Sequence, residues 1–262
     1  MTRTASLPMY AFPALAAAHQ AFWDRLRAGL PDAPAHLDLS RRPVPDDIGP
    51  EVLFTQVCGF PLFRRYRGQA VILGTPHYGL EGCDGPMHRA AFIVRASDPA
   101  DGLEAMRGRV FGCNSVHSNS GMNLPRLSLA RIAGGRPFFS RVAWTGGHPA
   151  SLRALRSRDI DLCAVDCVTW GLAQRHAPEL TAGLRVLAWT EPSPCLPYVT
   201  SVATSAADAA ALRAALRDAA DPVLCLQGVS DLGADAYGVL AEYEDEARRL
   251  EHVRIKRLRL TE

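Results

Sequence analysis

A two-lobed α/β fold, with the second lobe inserted into the first, is predicted by three observations. Strand-like runs alternate with helix-like runs along the chain, which argues for a sheet with helices packed on it. Three strand-to-helix units follow one another in quick order between residues 109 and 175. Two breaks, turn-rich near 95–102 and proline-rich near 191–200, bracket that block. The breaks assign residues 1–95 plus 200–262 to lobe 1 and residues 96–199 to lobe 2, with two chain crossings between them. A cleft between lobes joined in this way is a natural ligand site and a natural hinge.

Each element has its own local reason. Residues 5–10 read as a first strand, and Pro13 stands where a helix can begin. Leu15, Ala18, Phe22 and Leu26 then recur at helical spacing. Residues 36–39 read as a short strand, and residues 41–50, with Pro43, Pro45 and Pro50, as a loop. Residues 71–74 and 90–94 are short apolar runs of buried-strand type. The first unit is a strand at 109–112, a polar loop and a helix from Leu124 to residue 132. The second is a strand at 141–144, the loop Thr145-Gly146-Gly147-His148-Pro149 and a helix at 150–156. The third is a strand at 160–165, then Asp166, then a helix at 167–175. Residues 184–189 and 198–203 complete the strands, and helices are predicted over 206–219, 222–229 and 234–249.

Bulk properties exclude several classes of function. The composition, 48% hydrophobic and 21% charged, is that of an ordinary globular chain of 262 residues. A net charge of +2 offers no footprint for nucleic acid. No apolar run approaches 18 residues, so no transmembrane helix and no direct membrane insertion are expected. The first ten residues hold no signal-peptide apolar region, which leaves a cytosolic chain or one read without its leader. The seven cysteines, at 58, 83, 113, 163, 167, 195 and 225, form no metal-ligand pattern, and neither a metal nor a cofactor is expected. They read as buried small hydrophobes, with Cys58 and Cys83 the first pair to test for a bridge.

The loop 113–123 carries the clearest chemistry. Seven of its eleven residues are Asn, Ser or His, and none is acidic. Backbone N–H groups and the positive end of a helix at such a turn can hold an anion. Ser118 and Ser120 can donate hydroxyls there, and Gly121 allows close approach to the backbone. Asn123 ends the same turn; the plain alternative is a helix cap with no ligand. Pro125 fits only a first helical turn, so the helix proper starts near Asn123 or Leu124, with the serines in an extended turn.

Ligands of open α/β sheets bind beyond the carboxyl ends of the strands. The other two unit loops lie at such ends, bringing Thr145, His148 at the cap beside Ser151, and Asp166. His148 can donate to an anion. Asp166 caps its helix or accepts from a ligand amine or hydroxyl, and it would disfavour a bare phosphate dianion if it faced the ligand. No motif of nucleophile elbow, phosphate-binding loop, dinucleotide fingerprint or zinc protease is present. His117 and Cys58 are weak catalytic candidates without a partner at fixed spacing, so no enzyme activity is expected.

With these residues in place, the chain resembles the phosphate/phosphonate-binding family of ABC-transporter solute receptors, which have the type II periplasmic binding protein fold. The matching pieces are Ser6-Leu7-Pro8-Met9-Tyr10, Thr55-Gln56-Val57-Cys58-Gly59-Phe60-Pro61, the serine loop 114–123, Thr145 to Leu152, and Ala164 to Trp170. The resemblance implies two lobes, each a mixed sheet flanked by helices, that close over a small organic oxyanion for ABC-type uptake. It gives the oxyanion to Ser118, Ser120 and Gly121, and the family's histidine to His148. Asp166 corresponds to an acidic residue that meets a ligand amine, and Tyr10 to an aromatic of the other lobe. Gln56 and Tyr78 are further candidates from loop position. The turn reads Ser-Asn-Ser-Gly, with the amide of Asn119 where a hydroxyl is expected. A permease partner and a periplasmic location are implied by the family alone. The alternatives are a cytosolic enzyme on the same fold, of menaquinone- or thiamine-precursor type, resting on His148, Asp166 or Cys58, and a sensory module.

Overall fold

The computed structural model describes residues 2–250. The part of the expected first lobe at residues 251–262 lies outside them. In chain order the elements are β1 (Thr4–Ser6), α1 (Ala16–Leu26), β2 (Val52–Gln56), α2 (Gly59–Arg64), β3 (Ala70–Tyr78), β4 (Met87–His88), β5 (Ala90–Arg95), β6 (Val110–Cys113), α3 (Leu124–Ala133) and β7 (Arg141–Trp144). They continue as α4 (His148–Arg156), β8 (Leu162–Asp166), α5 (Cys167–His176), α6 (Pro178–Thr181), β9 (Leu184–Trp189), β10 (Ser193–Pro194), β11 (Tyr198–Ser201), α7 (Ala206–Arg217), β12 (Leu226–Ser230) and α8 (Val239–Arg249).

These elements form two compact units. Unit 1 takes the chain up to Met87 and then Pro194–Gly238; unit 2 takes His88–Ser193 and the chain from Val239. The chain therefore passes between units at 87/88 and 193/194, where the two-residue strands β4 and β10 pair, and a third time at 238/239. The sequence placed the boundaries at 95/96 and 199/200 and left the last helix in lobe 1. Two contacts account for the difference. β5 pairs antiparallel with both β8 and β9, which draws residues 90–95 into unit 2. In α8, Ala247 and Tyr243 pack on Leu127 and Ala130 of α3. An amphipathic stripe shows that a helix packs, but not against which neighbour.

Unit 1 is built on a sheet of order β1-β2-β11-β3-β12, parallel only between β1 and β2. Its centre is an aromatic stack in which Phe54 lies 5.4 Å from Trp23 of α1 and 5.3 Å from Tyr198. All five residues of β2 are buried, so this strand shows no alternation to read in the sequence. The strand expected at 36–39 is reduced to one bridge, Asp38 with Ser6. The helix expected over 222–229 is instead a turn followed by β12. Asp221 accepts from the amides of Val223 and Leu224, Cys225 adopts φ 55°, and Leu226–Ser230 pairs with β3. A short apolar run fits either structure locally, and the open edge of β3 decides it.

Unit 2 has a sheet of order β7-β6-β8-β5-β9. The three predicted strand-to-helix units are there, and β6 lies parallel between β7 and β8. β5 runs antiparallel to its neighbours, so the sheet is mixed. Its core gathers Phe111, Phe138, Phe139, Leu129, Met106 and Leu162. Because β6, β7 and β8 are parallel neighbours, the loops after Cys113, Trp144 and Asp166 emerge at one edge.

Candidate ligand-binding site

The serine turn follows β6. Residues Asn119–Asn123 make one π-helical turn that runs directly into α3. Pro125 explains the widening: its ring has no N–H to donate and would collide with a carbonyl one α-turn back. The carbonyl of Gly121 is instead met by the Cys113 thiol at 3.4 Å. Ser118, in extended conformation, caps the turn, and its Oγ accepts from the Gly121 amide at 2.9 Å. A Cβ on Gly121 would stand 1.8 Å from Asn114 Oδ1. The space that glycine opens is therefore filled by Asn114, where the sequence had suggested a ligand.

Two amides brace the turn. Asn119 is buried and its Nδ2 donates to Ser193 Oγ at 3.0 Å. Asn123 Nδ2 donates to Asn119 Oδ1 at 3.3 Å and to the Leu240 carbonyl of α8 at 3.2 Å. Arg126 donates to Asn123 Oδ1 at 2.8 Å. The α8 helix is thus fastened to the turn by a side chain of the turn itself.

The second loop delivers His148. Gly146 at φ 87° and an extended Gly147 reverse the chain; Gly147 is the cap and His148 the first residue of α4, so the helix starts one residue earlier than expected. His148 Nε2 lies 2.9 Å from Ser120 Oγ and 3.5 Å from Asn114 Nδ2. Burial holds the pKa of His148 down to about 4, against the pull of Asp166 and with the help of His88. The ring is neutral near pH 7. With the ring proton on Nε2 the imidazole donates to Ser120 Oγ and leaves the serine hydroxyl for a ligand; with it on Nδ1 the serine donates instead. Thr145 and Ser151 bond each other at 2.6 Å, and Thr145 also reaches the Cys113 carbonyl at 3.3 Å. They stitch this loop to β6.

The third loop places Asp166 at the end of β8, 2% exposed. Its Oδ1 accepts from the amides of Val168 and Thr169 at 2.9 and 3.1 Å, the predicted cap of α5. Its Oδ2 lies 3.0 Å from Nδ1 of the buried His88. Burial opposes charge on His88, but the adjacent carboxylate outweighs it and raises the pKa to about 10. Burial likewise opposes charge on Asp166, and His88 outweighs it, so the carboxyl titrates below its usual range. The two form an ion pair. No local pattern in the sequence marks His88. It precedes a strand whose antiparallel pairing, Ala90 opposite Asp166, is long-range and unseen in any local pattern.

Tyr10, Gln56 and Tyr78 come together in unit 1. The rings of Tyr10 and Tyr78 meet edge to face at 5.6 Å. Gln56, the last residue of β2, donates to Tyr78 Oη at 3.2 Å and to the Leu196 carbonyl at 2.9 Å. Burial pushes the Tyr78 phenol well above its usual pKa. Tyr198, which the sequence did not single out, shares a hydrogen bond with Tyr78. None of the seven cysteines is bridged to another, Cys58 and Cys83 included, and burial pushes Cys113 up to about 12. Among the described residues no group of three metal-ligating side chains gathers, and no helix is long and apolar enough to cross a membrane.

No curated protein sequence matches the chain. Among solved structures, XAC2383 from Xanthomonas citri bound to ATP is similar with a TM-score of 0.65 at 18% identity, covering 97% of this chain and 100% of that one. PhnD1 from Prochlorococcus marinus in complex with methylphosphonate is similar with a TM-score of 0.71 at 11% identity, covering 94% and 98%. A binding-protein component of an ABC phosphonate transporter from Pseudomonas aeruginosa gives 0.67 at 13%, covering 96% and 97%. These likenesses show the fold, that of the two-lobed periplasmic binding proteins. The family model described as "ABC transporter, phosphonate, periplasmic substrate-binding protein" matches residues 58–237. With more than half of its length matched, the chain belongs to that family of solute-binding proteins.

Proposed function

We propose that this solute-binding protein holds a small organic phosphorus oxyanion, a phosphonate or a phosphate ester, at Ser118, Ser120 and His148 of unit 2, and serves an ABC permease. One observation carries the reading: Ser120 Oγ and His148 Nε2, from two separate strand-end loops, meet at 2.9 Å. Ser118 accepts from the Gly121 amide, which leaves its own proton for a ligand oxygen. The positive ends of α3 and α4 add to the pull on an anion. Methylphosphonate and ATP, held by two of the similar structures, both carry phosphorus oxyanions. Tyr10, Gln56 and Tyr78 are candidate ligand contacts on unit 1.

Binding, rather than catalysis, is favoured by the surroundings of the same pair. Ser120 and His148 have the spacing of a nucleophile and its base, but a triad needs a third group to orient the base. The nearby carboxylate, Asp166, is engaged by His88 instead. The test is calorimetric titration with methylphosphonate, inorganic phosphate and a nucleoside phosphate, with the bound compound recovered and checked by phosphorus NMR. Ser120→Ala should weaken the best of these by about 1–3 kcal/mol, the loss of a hydrogen bond to a charged group. An unchanged affinity in Ser120→Ala, or conversion of the bound compound, would sink the reading.

A further inference from the structure

We propose that His88 sets the ligand class of this site: by neutralising Asp166, it selects a phosphorus oxyanion whose substituent carries no positive charge. The inference rests on the binding reading above and narrows it. Asp166 is the acidic group at the edge where the three loops emerge, and alone it would be a counter-charge for a ligand ammonium. In the structure it has no such freedom. Oδ1 holds two backbone amides of α5 and Oδ2 holds the His88 imidazole. His88 is itself 1% exposed and is held a second time by Cys167. The position follows from the sheet: Ala90 lies opposite Asp166 in the β5–β8 pair, so the chain two residues before Ala90 runs beside the start of α5. An amine could reach the carboxylate only by displacing a buried imidazolium of equal charge.

The pair acts on the anion side as well. An unpaired, buried carboxylate would repel a phosphonate dianion held at Ser120 and His148. His148 registers both members of the pair, Asp166 favouring its protonated form and His88 opposing it. The net charge of the pair is zero, so the anion meets hydroxyls, His148 and helix ends with no opposing net charge from this edge. A ligand with a neutral alkyl or ester substituent fits that balance. One with an aminoalkyl substituent brings a charge for which the carboxylate is already taken.

The experiment compares methylphosphonate with 2-aminoethylphosphonate by calorimetric titration at pH 7. It uses the wild-type protein, His88→Asn, the double variant His88→Asn/Asp166→Asn, and Ser120→Ala as the site control. Asparagine keeps a donor near the place of Nδ1 without its charge. Wild type should prefer methylphosphonate by about tenfold or more, the scale of one uncompensated charge near the surface. In His88→Asn the preference should fall about tenfold or reverse, and in the double variant it should return. Should His88→Asn not fold, the wild-type ratio decides alone. Equal affinities, or a preference for the amine, overturn the inference, as does a ratio unchanged by His88→Asn. If methylphosphonate binds and Ser120→Ala weakens it, such a result removes only the role of His88. If neither compound binds, the inference falls and the binding reading is decided by the phosphate esters; if Ser120→Ala changes nothing, the binding reading falls and takes the inference with it.

Discussion

Gly121→Ala is the sharpest probe of how the serine turn is built. A Cβ at this position would lie 1.8 Å from Oδ1 and 2.6 Å from Cγ of Asn114. Both are far inside van der Waals contact, so the Asn114 amide must leave its place beside His148. Overpacking of this kind costs about 1–3 kcal/mol. In a chain of this size each kcal/mol lowers the melting temperature by roughly 2–4 °C. The clash has a single principal partner, so it should be relieved by removing that partner. Asn114→Ala alone loses a hydrogen bond at 3.5 Å from His148 and should cost less than Gly121→Ala. The double variant should then be more stable than the sum of the two by at least about 1 kcal/mol, beyond the ~0.5 kcal/mol scatter of independent sites. Thermal melting and urea unfolding of the four proteins close the cycle. A neutral Gly121→Ala, or strictly additive effects, would refute the packing argument and return Gly121 to the role of a ligand's approach.

Four further outcomes rest on particular residues. His19 and His148 both have pKa values held down to about 4, so the fold prefers their neutral forms. Stability should fall as the pH drops from about 6.5 towards 4, by at most about 1.4 kcal/mol per pH unit for each histidine. His148→Gln should flatten the urea-midpoint profile over that window, and a profile identical to wild type would contradict it. An anion at Ser120 favours the protonated form of His148, so affinity for methylphosphonate should rise as pH falls from 7 to 5 in wild type but not in His148→Gln, as read by calorimetry over a window in which the ligand is mainly its monoanion. Asn123→Ala removes the tie to Leu240 and leaves Arg126 short of an acceptor. It should cost about 1–3 kcal/mol and speed amide exchange in α8, and unchanged exchange there would mean that the tie is idle. Arg158 stands at φ 68°, a region that suits glycine, so Arg158→Gly should stabilise the protein by roughly 0.5–1 kcal/mol in urea unfolding.

The residues that were legible are those whose meaning is local. Ser118, Ser120 and His148 sit in loops that join a strand to a helix, and alternation along the chain places such loops at one sheet edge. Pro125 signalled a helix start with little room for variation, and the π-turn before it is the physical form of that signal. What escaped depends on pairing at long range. His88 matters only because β5 lies antiparallel to β8. Asn119 looked like a hydroxyl replaced in the ligand site, whereas burial turns its amide to Ser193. The run 222–229 could be helix or strand until the edge of β3 was known, and α8 carries a stripe that would suit either unit.

The third passage of the chain bears on how the protein is made. Unit 1 has its full core only after the chain has emerged through Gly238, and unit 2 waits further for α8. The serine turn, whose Asn123 is tied to Leu240, is among the last parts to find its partner. Loss of α8 would therefore strike the serine turn while leaving the aromatic stack of Trp23, Phe54 and Tyr198 its partners.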